Sequence, residues 1–346
     1  MYSFLNDYSE GAHERIMEAL AATNREQTCG YGMDDYCEKA RDLIAARLGG
    51  DVAGIHFLVG GTQANMTVIS AALKAHQGVI SAKTGHINAH ETGAVEATGH
   101  KVLTIETENG KLSAEDVDKL INAHYMDENS EHTVQPGMVY ISNPTEIGTI
   151  YSKKELTELS CVCAKHKVPL FLDGARLGCA LTCDENDLTL ADIAHLTDVF
   201  YIGGTKMGAL FGEAVVIANE EINRDFRYHI KQRGGMLAKG RLLGIQFAAL
   251  FEDDLYFELA RHANVMARKL SDGIRKLGFD FLVDSPTNQL FPIFEKQLIA
   301  SLSESFVMSV WQTYDDTRDA VRLCTSWATK EAHVDEFLSK LGSASH

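Results

Sequence analysis

The chain has little proline, 5 residues in 346, and no surplus of positive charge: 32 lysines and arginines face 48 aspartates and glutamates, a formal net charge of −16. An acidic balance of that size argues against a nucleic-acid polyanion or an anionic bilayer as partner, which leaves small-molecule chemistry as the default. No apolar run reaches the length of a membrane span, and the first residues carry no basic segment followed by an apolar stretch. The expectation is a cytoplasmic protein without a membrane partner. The 7 cysteines form an odd set without metal-site spacing. Cys161 and Cys163 fall in a helical stretch, so they are expected to pack as reduced thiols, with no metal bound. No low-complexity stretch or internal repeat interrupts the chain, and its length suggests two domains.

What the sequence does have is a lysine delivered by an apolar run into a glycine-bearing turn, Phe200-Tyr201-Ile202-Gly203-Gly204-Thr205-Lys206-Met207-Gly208. Upstream, the apolar run Val168-Pro169-Leu170-Phe171-Leu172 ends in Asp173-Gly174-Ala175-Arg176. A lysine amine is nucleophilic only when neutral, and it then condenses with an aldehyde as a Schiff base. A carboxylate buried at the end of a strand keeps a pyridine nitrogen protonated, so that the ring accepts electrons from a carbanion. Lys206 and Asp173 together therefore point to pyridoxal 5′-phosphate. Between them fit a helix near Leu188–Leu196 and a return strand, one right-handed βαβ step that brings both residues to the same sheet edge. Taken singly, each motif also reads as an ordinary turn. A third element is Gly60-Gly61-Thr62-Gln63-Ala64-Asn65, read as a turn between a strand at Ile55–Val59 and a helix from Met66 to His76. Free amides there, with the Thr62 hydroxyl, suit a phosphate, although neither a Walker A loop nor Gly-x-Gly-x-x-Gly is present.

Periodicity gives the organisation. Helical patterns occupy Glu10–Asn24 and Asp34–Leu48, and strands are expected at Ile55–Val59, Gly78–Ser81, Lys101–Ile105, Met138–Ser142, Pro169–Asp173, Val199–Gly203 and Ala214–Ala218. Helical runs such as Ser113–His124 and Lys153–His166 alternate with them, the pattern of a mainly parallel, doubly wound seven-stranded α/β sheet. After helices at Arg241–Phe251 and Tyr256–Leu277 come strand candidates Phe279–Val283, Gln289–Phe294, Ser305–Trp311 and Ala320–Thr325. With helices at Glu295–Leu302 and Lys330–Leu341, they fit a small α+β domain. The divisions expected are an arm over 1–14, a large domain over 15–240 and a small C-terminal domain over 241–346.

Gly-Thr-Gln-Ala-Asn, the histidine of Thr84-Gly85-His86, Asp-Gly-Ala-Arg, the Lys206 turn and Val321-Arg322-Leu323-Cys324-Thr325-Ser326-Trp327 occur in an order that resembles the L-threonine aldolases of the aromatic amino acid β-eliminating lyase group. The resemblance spans nearly the whole chain. It implies the fold-type I aminotransferase architecture, with pyridoxal phosphate held at Gly61, Thr62, His86, Asp173, Arg176 and Lys206. It also implies a homo-oligomer, a dimer of dimers, whose active site lies at a subunit interface. His86 is expected to stack on the cofactor ring, while Arg176 and Arg322 receive the substrate carboxylate through the planar guanidinium fork. Asn6 stands where many relatives have a serine that contacts that carboxylate, and Tyr31, in Tyr31-Gly32-Met33-Asp34, matches a tyrosine that reaches an active site in the oligomer. The basic run Arg224, Arg227, Lys231, Arg233, Lys239 and Arg241 contains one or two phosphate contacts across an interface, Arg241 among them, and otherwise a solvated face. One departure stands out: the segment Asn143-Pro144-Thr145-Glu146-Ile147-Gly148-Thr149 puts Glu146 where many relatives carry a histidine near the substrate β-hydroxyl. A carboxylate can do that work if burial raises its pKa. The implied reaction is retro-aldol cleavage of an L-2-amino-3-hydroxy acid, threonine, allo-threonine or phenylserine, to glycine and an aldehyde. The alternatives are β-elimination, racemisation or transamination with the same cofactor, or a non-catalytic cofactor-binding scaffold.

Overall fold

In the computed structural model, which describes residues 1–344, the seven expected apolar runs form one sheet. Its strand order is Gly54–Leu58, Glu213–Ile217, Val199–Gly203, Leu170–Asp173, Gln135–Ser142, Gln77–Ala82, Val102–Ile105. Only Glu213–Ile217 runs against its neighbours; the pairs from Val199–Gly203 to Val102–Ile105 are parallel. Both faces are covered, which is why these strands read as unbroken apolar runs. The pleat sends alternate side chains to opposite faces. Phe200 and Ile202 enter the core that also holds Leu170 and Leu172, whereas Val199, Tyr201 and Phe171 enter the core on the other face. The covering helices start where side-chain caps fall. Ser152 and Glu155 form a capping box at Lys153–His166, and Thr189 and Asp192 form another at Leu190–Leu196.

The helix expected from Met66 instead spans Gly61–Ala72. Gln63 explains the earlier start: its side chain accepts the backbone N–H of Val59 at 3.2 Å, tying the incoming strand to the first helical turn. Gly60, the cap residue, offers no side-chain bond, so the amides of this helix start are left for another acceptor. The residues read as a turn are thus the helix N-terminus itself.

Around a second centre, the C-terminal strand pattern is more broken than expected. Phe279–Val283 contributes a single bridge, Phe281 to Pro292. Gln289–Phe294 divides at Pro292, which has no N–H for the ladder, into Gln289–Leu290 and Ile293–Glu295, both paired with Arg318–Cys324. Ser305–Trp311 divides into Phe306–Val307 and Ser309–Thr313; the first pairs in parallel with Tyr2–Ser3 and the second with Arg318–Cys324. The first residues of the chain are therefore built into this layer, with Phe4 buried against Phe306 and Phe337. The helix Arg241–Phe251 lies in the core of the large sheet. The long helix Leu255–Lys276 joins the two bodies, giving Leu255 to Ala263 to the large core and Met266 to Ile274 to the small one.

Close approach of the two central strands depends on glycine at 174 and at 203. A Cβ on Gly174 would lie 1.9 Å from the carbonyl oxygen of Tyr201. Gly174→Ala is expected to destabilise the fold by about 1–3 kcal/mol through this overlap with rigid backbone, measured by denaturant titration. An unchanged midpoint would show that the strands can separate freely here.

Candidate active site

The carboxyl ends of the parallel strands converge on one cleft, the place where open α/β sheets bind ligands. Asp173 ends its strand, Lys206 follows Gly203 by three residues, His86 follows the strand Gln77–Ala82, and Glu146 follows Gln135–Ser142. The helix start at Gly61 also lies here, since a Cβ on Gly61 would come within 2.9 Å of the Tyr201 hydroxyl.

Asp173 is buried and fully engaged. Oδ2 accepts from the Tyr140 hydroxyl at 2.6 Å and from Asn65 Nδ2 at 3.1 Å; Oδ1 accepts from the Tyr201 hydroxyl and from the Ala175 N–H at 3.0 Å. Burial alone would push its pKa up, but nearby His86 and the Tyr140, Tyr201 and Asn65 donors outweigh it and hold the carboxyl below its ordinary range. Asn65 Nδ2 also donates to Glu91 Oε1 at 2.7 Å, and the same oxygen lies 2.7 Å from His86 Nδ1. Against the desolvation that lowers it, Glu91 and the charge of Asp173 raise the His86 pKa.

Glu146 Oε1 accepts from Ser142 Oγ at 2.7 Å and from the His86 backbone N–H at 2.9 Å. Burial, with the charge of Asp173 added, raises its pKa despite those donors. Two carboxyl groups in one cavity are thus pushed apart, one ionised and the other holding its proton more tightly. The Lys206 amine is lowered, by burial first and then by the charge of Arg176, against Asp7, Asp173 and Glu213, which raise it. A lysine in that state is nearer to the neutral, nucleophilic form.

Arg176 does not present a free fork. Its Nε and Nη2 donate to the two oxygens of Asp7 at 2.6 and 3.1 Å, and Asn288 Nδ2 adds a third donor to Asp7 at 2.8 Å. Asp7 is fully buried and needs a counter-charge, so it takes the Nε and Nη2 edge of Arg176, while Nη1 makes no hydrogen bond within the described residues. Arg322 is placed differently: one Nη donates to the Leu5 carbonyl at 3.2 Å, while its buried Nε has no partner. Asn6 lies between these contacts, its Oδ1 engaged by the Tyr8 N–H and the Ser9 hydroxyl, each at 3.0 Å.

Tyr31 and Arg241 are not brought to this cluster within the chain. Arg241 donates to the carbonyls of Glu26 and Thr23, and Tyr31, half-exposed, has Lys231 5.1 Å from its ring and its own carbonyl on Arg227. Within one chain, Arg241 is thus a bracket for the segment before Asp35–Ala45, its guanidinium already bonded to carbonyl oxygens. Of the basic run, Arg233 comes nearest the phosphate-type helix start, through its carbonyl on Gln63 Nε2 at 3.1 Å.

The residues fit pyridoxal phosphate. The uncapped helix start at Gly61 and Thr62 offers amides to a phosphate, ionised Asp173 suits a protonated pyridine nitrogen, and Lys206 supplies a depressed amine. Sequence reasoning passed over Asp7, Asn65, Glu91, Tyr140, Tyr201 and Glu213. Glu213 opens the strand beside Gly203, is buried, accepts from Thr205 Oγ1 at 3.0 Å and is pushed up to about 8, chiefly by burial. A glutamate heading the apolar run Ala214-Val215-Val216-Ile217 was the available sign.

The beta-eliminating lyase family model matches residues 4–297. A low specificity L-threonine aldolase of Pseudomonas sp. is 30% identical over 350 residues, covering 98% of this chain and 96% of its own, and that of Pseudomonas aeruginosa is 29% identical over 344 residues, covering 96% and 95%. Among solved structures, a threonine aldolase of Leishmania major superposes with a TM-score of 0.97 at 47% identity, covering 100% of both chains. An aspartate aminotransferase of Thermus thermophilus, 16% identical and covering 99% of this chain and 91% of its own, superposes at 0.74, which establishes the aminotransferase-like fold.

The Asp7–Arg176 pair yields a stability test. Asp7 is held below its ordinary range because Arg176, Lys206 and Asn288 outweigh its burial. A depressed folded-state pKa contributes stability above the unfolded-state value, about 3.9, and loses it as pH falls through the folded value. Asp7→Ala should cost about 3–5 kcal/mol at neutral pH, because Arg176 is left buried without a partner. Asp7→Asn should flatten the acid limb of the stability curve below about pH 4. Denaturation across pH checks both, and an unaltered acid limb in Asp7→Asn would remove Asp7 as the group responsible.

Proposed function

The chain belongs to the beta-eliminating lyase family, and from that premise we propose that it is a pyridoxal phosphate-dependent aldehyde-lyase that cleaves L-threonine, L-allo-threonine or a related L-2-amino-3-hydroxy acid to glycine and an aldehyde. The observation that carries this reading is the pairing, in one buried cluster, of an ionised Asp173 with a Glu146 of raised pKa that accepts the His86 N–H. When bound, the cofactor supplies an electron sink for the pair of electrons left at Cα.

Lys206 provides the amine to which the cofactor attaches, and its depressed pKa keeps that amine available. Asp173 holds a proton on the pyridine nitrogen. The amides at Gly61 and Thr62 would hold the phosphate, and His86, its Nδ1 fixed by Glu91, would pack on the cofactor. Arg322, whose Nε is free, and the unengaged Nη1 of Arg176 would take the substrate carboxylate, with Asn6 beside them. That anchor would orient the substrate so that its Cα–Cβ bond is the one presented for cleavage. Glu146, or His86 beside it, takes the β-hydroxyl proton; the aldehyde leaves as the Cα–Cβ pair stays with Cα, and a proton delivered to Cα yields glycine.

The site is completed by a second copy of the chain, in a dimer of dimers. The exposed side chains of Tyr31, Met33 and Tyr228 support this, because they leave large apolar groups on the surface of one subunit. Tyr31 and Arg241 would then serve a neighbouring site. Among the described residues no helix is long and apolar enough to cross a membrane, and a cytoplasmic place is part of the same proposal.

Incubation with threonine, allo-threonine and phenylserine should give glycine and the matching aldehyde; pyruvate with ammonia, or a keto acid, would assign another reaction to the same cofactor. Borohydride reduction of the cofactor-loaded protein should fix the cofactor on Lys206 by peptide mapping. Glu146→Gln should lower cleavage ~10²–10⁴-fold while leaving exchange of the glycine α-proton largely intact, since exchange involves no hydroxyl. Equal losses in both reactions would make Glu146 a structural residue.

A further inference from the structure

A row of rings runs outward from His86, and its members beyond His86 have no part in the chemistry above. His86 lies 5.6 Å from His90, His90 lies 6.1 Å from Trp311, and Trp311 lies 5.2 Å from buried Phe291. The row begins on the large sheet and ends in the small layer. Trp311 is also 5.5 Å from the Arg322 guanidinium. Its position is set by a ladder irregularity: Val310 pairs with Val321 and Gln312 with Ala320, so Trp311 is the extra residue of a bulge. Bulges next to active sites re-aim a side chain. The backbone N–H of His90 donates to the His86 carbonyl at 2.9 Å, which places both histidines on one helical turn.

The substrate has three groups to place about the Cα–Cβ bond besides its amine. Its carboxylate goes to Arg322 and its β-hydroxyl to Glu146 and His86. The remaining substituent on Cβ must lie between those two anchors, where His90 and Trp311 stand. Two flat rings there match the face of a third ring better than they match a methyl group. Partial desolvation, with the charges of His86 and Arg322, lowers the His90 pKa and so favours its neutral ring. We propose that His90 and Trp311 form the subsite for the Cβ substituent and select an aryl group, as in 3-phenylserine, over the methyl of threonine. This rests on the aldolase reading of the same site.

The test is the ratio of kcat/KM for phenylserine to that for threonine. A ratio cancels any loss of carboxylate binding that Trp311 substitutions cause through Arg322. Trp311→Ala and His90→Ala should each lower it by about 2- to 10-fold, the worth of one aromatic contact, while Trp311→Phe and His90→Phe retain it. A second readout needs no turnover. The chain has 2 tryptophans, so in a Trp327→Phe background Trp311 reports alone. L-phenylalanine, which lacks the hydroxyl and cannot be cleaved, should alter its emission, and L-alanine should not. Unchanged ratios in both alanine variants would overturn the subsite, as would equal responses to the two amino acids. Wild-type protein that cleaves neither substrate would overturn the aldolase reading instead, and the emission response would still judge the subsite.

Discussion

The arrangement depends on keeping one carboxylate ionised where water cannot reach it. Asp173 does so because four donors converge on its two oxygens, two tyrosine hydroxyls, an asparagine amide and a backbone N–H. Its charge then conditions the rest of the cavity. It raises the pKa of His86, helps to raise that of Glu146, and draws Lys206 back toward the charged state that burial and Arg176 oppose. Neighbouring groups can differ so widely in proton affinity only because the low-dielectric interior magnifies each separation and each hydrogen bond.

A second buried charge, Asp7, connects the chemistry to the architecture. It is brought in by the chain start, which pairs with Phe306–Val307, and is held by Arg176 from the large sheet and Asn288 from the small layer. The two bodies are therefore fastened together through Asp7. Arg176 also acts on the site through its charge, which lowers the Lys206 amine. Arg322, across the same cluster, keeps its buried Nε without a partner.

Much of this was legible in the sequence. Val199–Gly203 has the boundaries expected of it because a strand buried on both faces leaves an unbroken apolar run. Lys206, Asp173, His86 and Glu146 meet because each follows a parallel strand of the same sheet. The rest was hidden for specific reasons. The partner of Arg176 lies 169 positions away, and nothing local to Arg176 announces it. Asn65 and Glu91 look like ordinary helix and loop residues until the fold points both at Asp173 and His86. The helix start at Gly61 was obscured by glycine and threonine, residues of turns, and is explained only by Gln63 folding back on Val59. The bulge at Trp311 arises from the register of two strands, which no single-strand pattern contains.

The state of the pyridine nitrogen tests the central claim most directly. With ¹⁵N-labelled pyridoxal phosphate bound, the nitrogen shift in wild-type protein should be that of the protonated ring across neutral and mildly alkaline pH, and in Asp173→Asn it should move to the unprotonated value. An unprotonated ring in the wild type, or a protonated one that survives Asp173→Asn, would contradict the account.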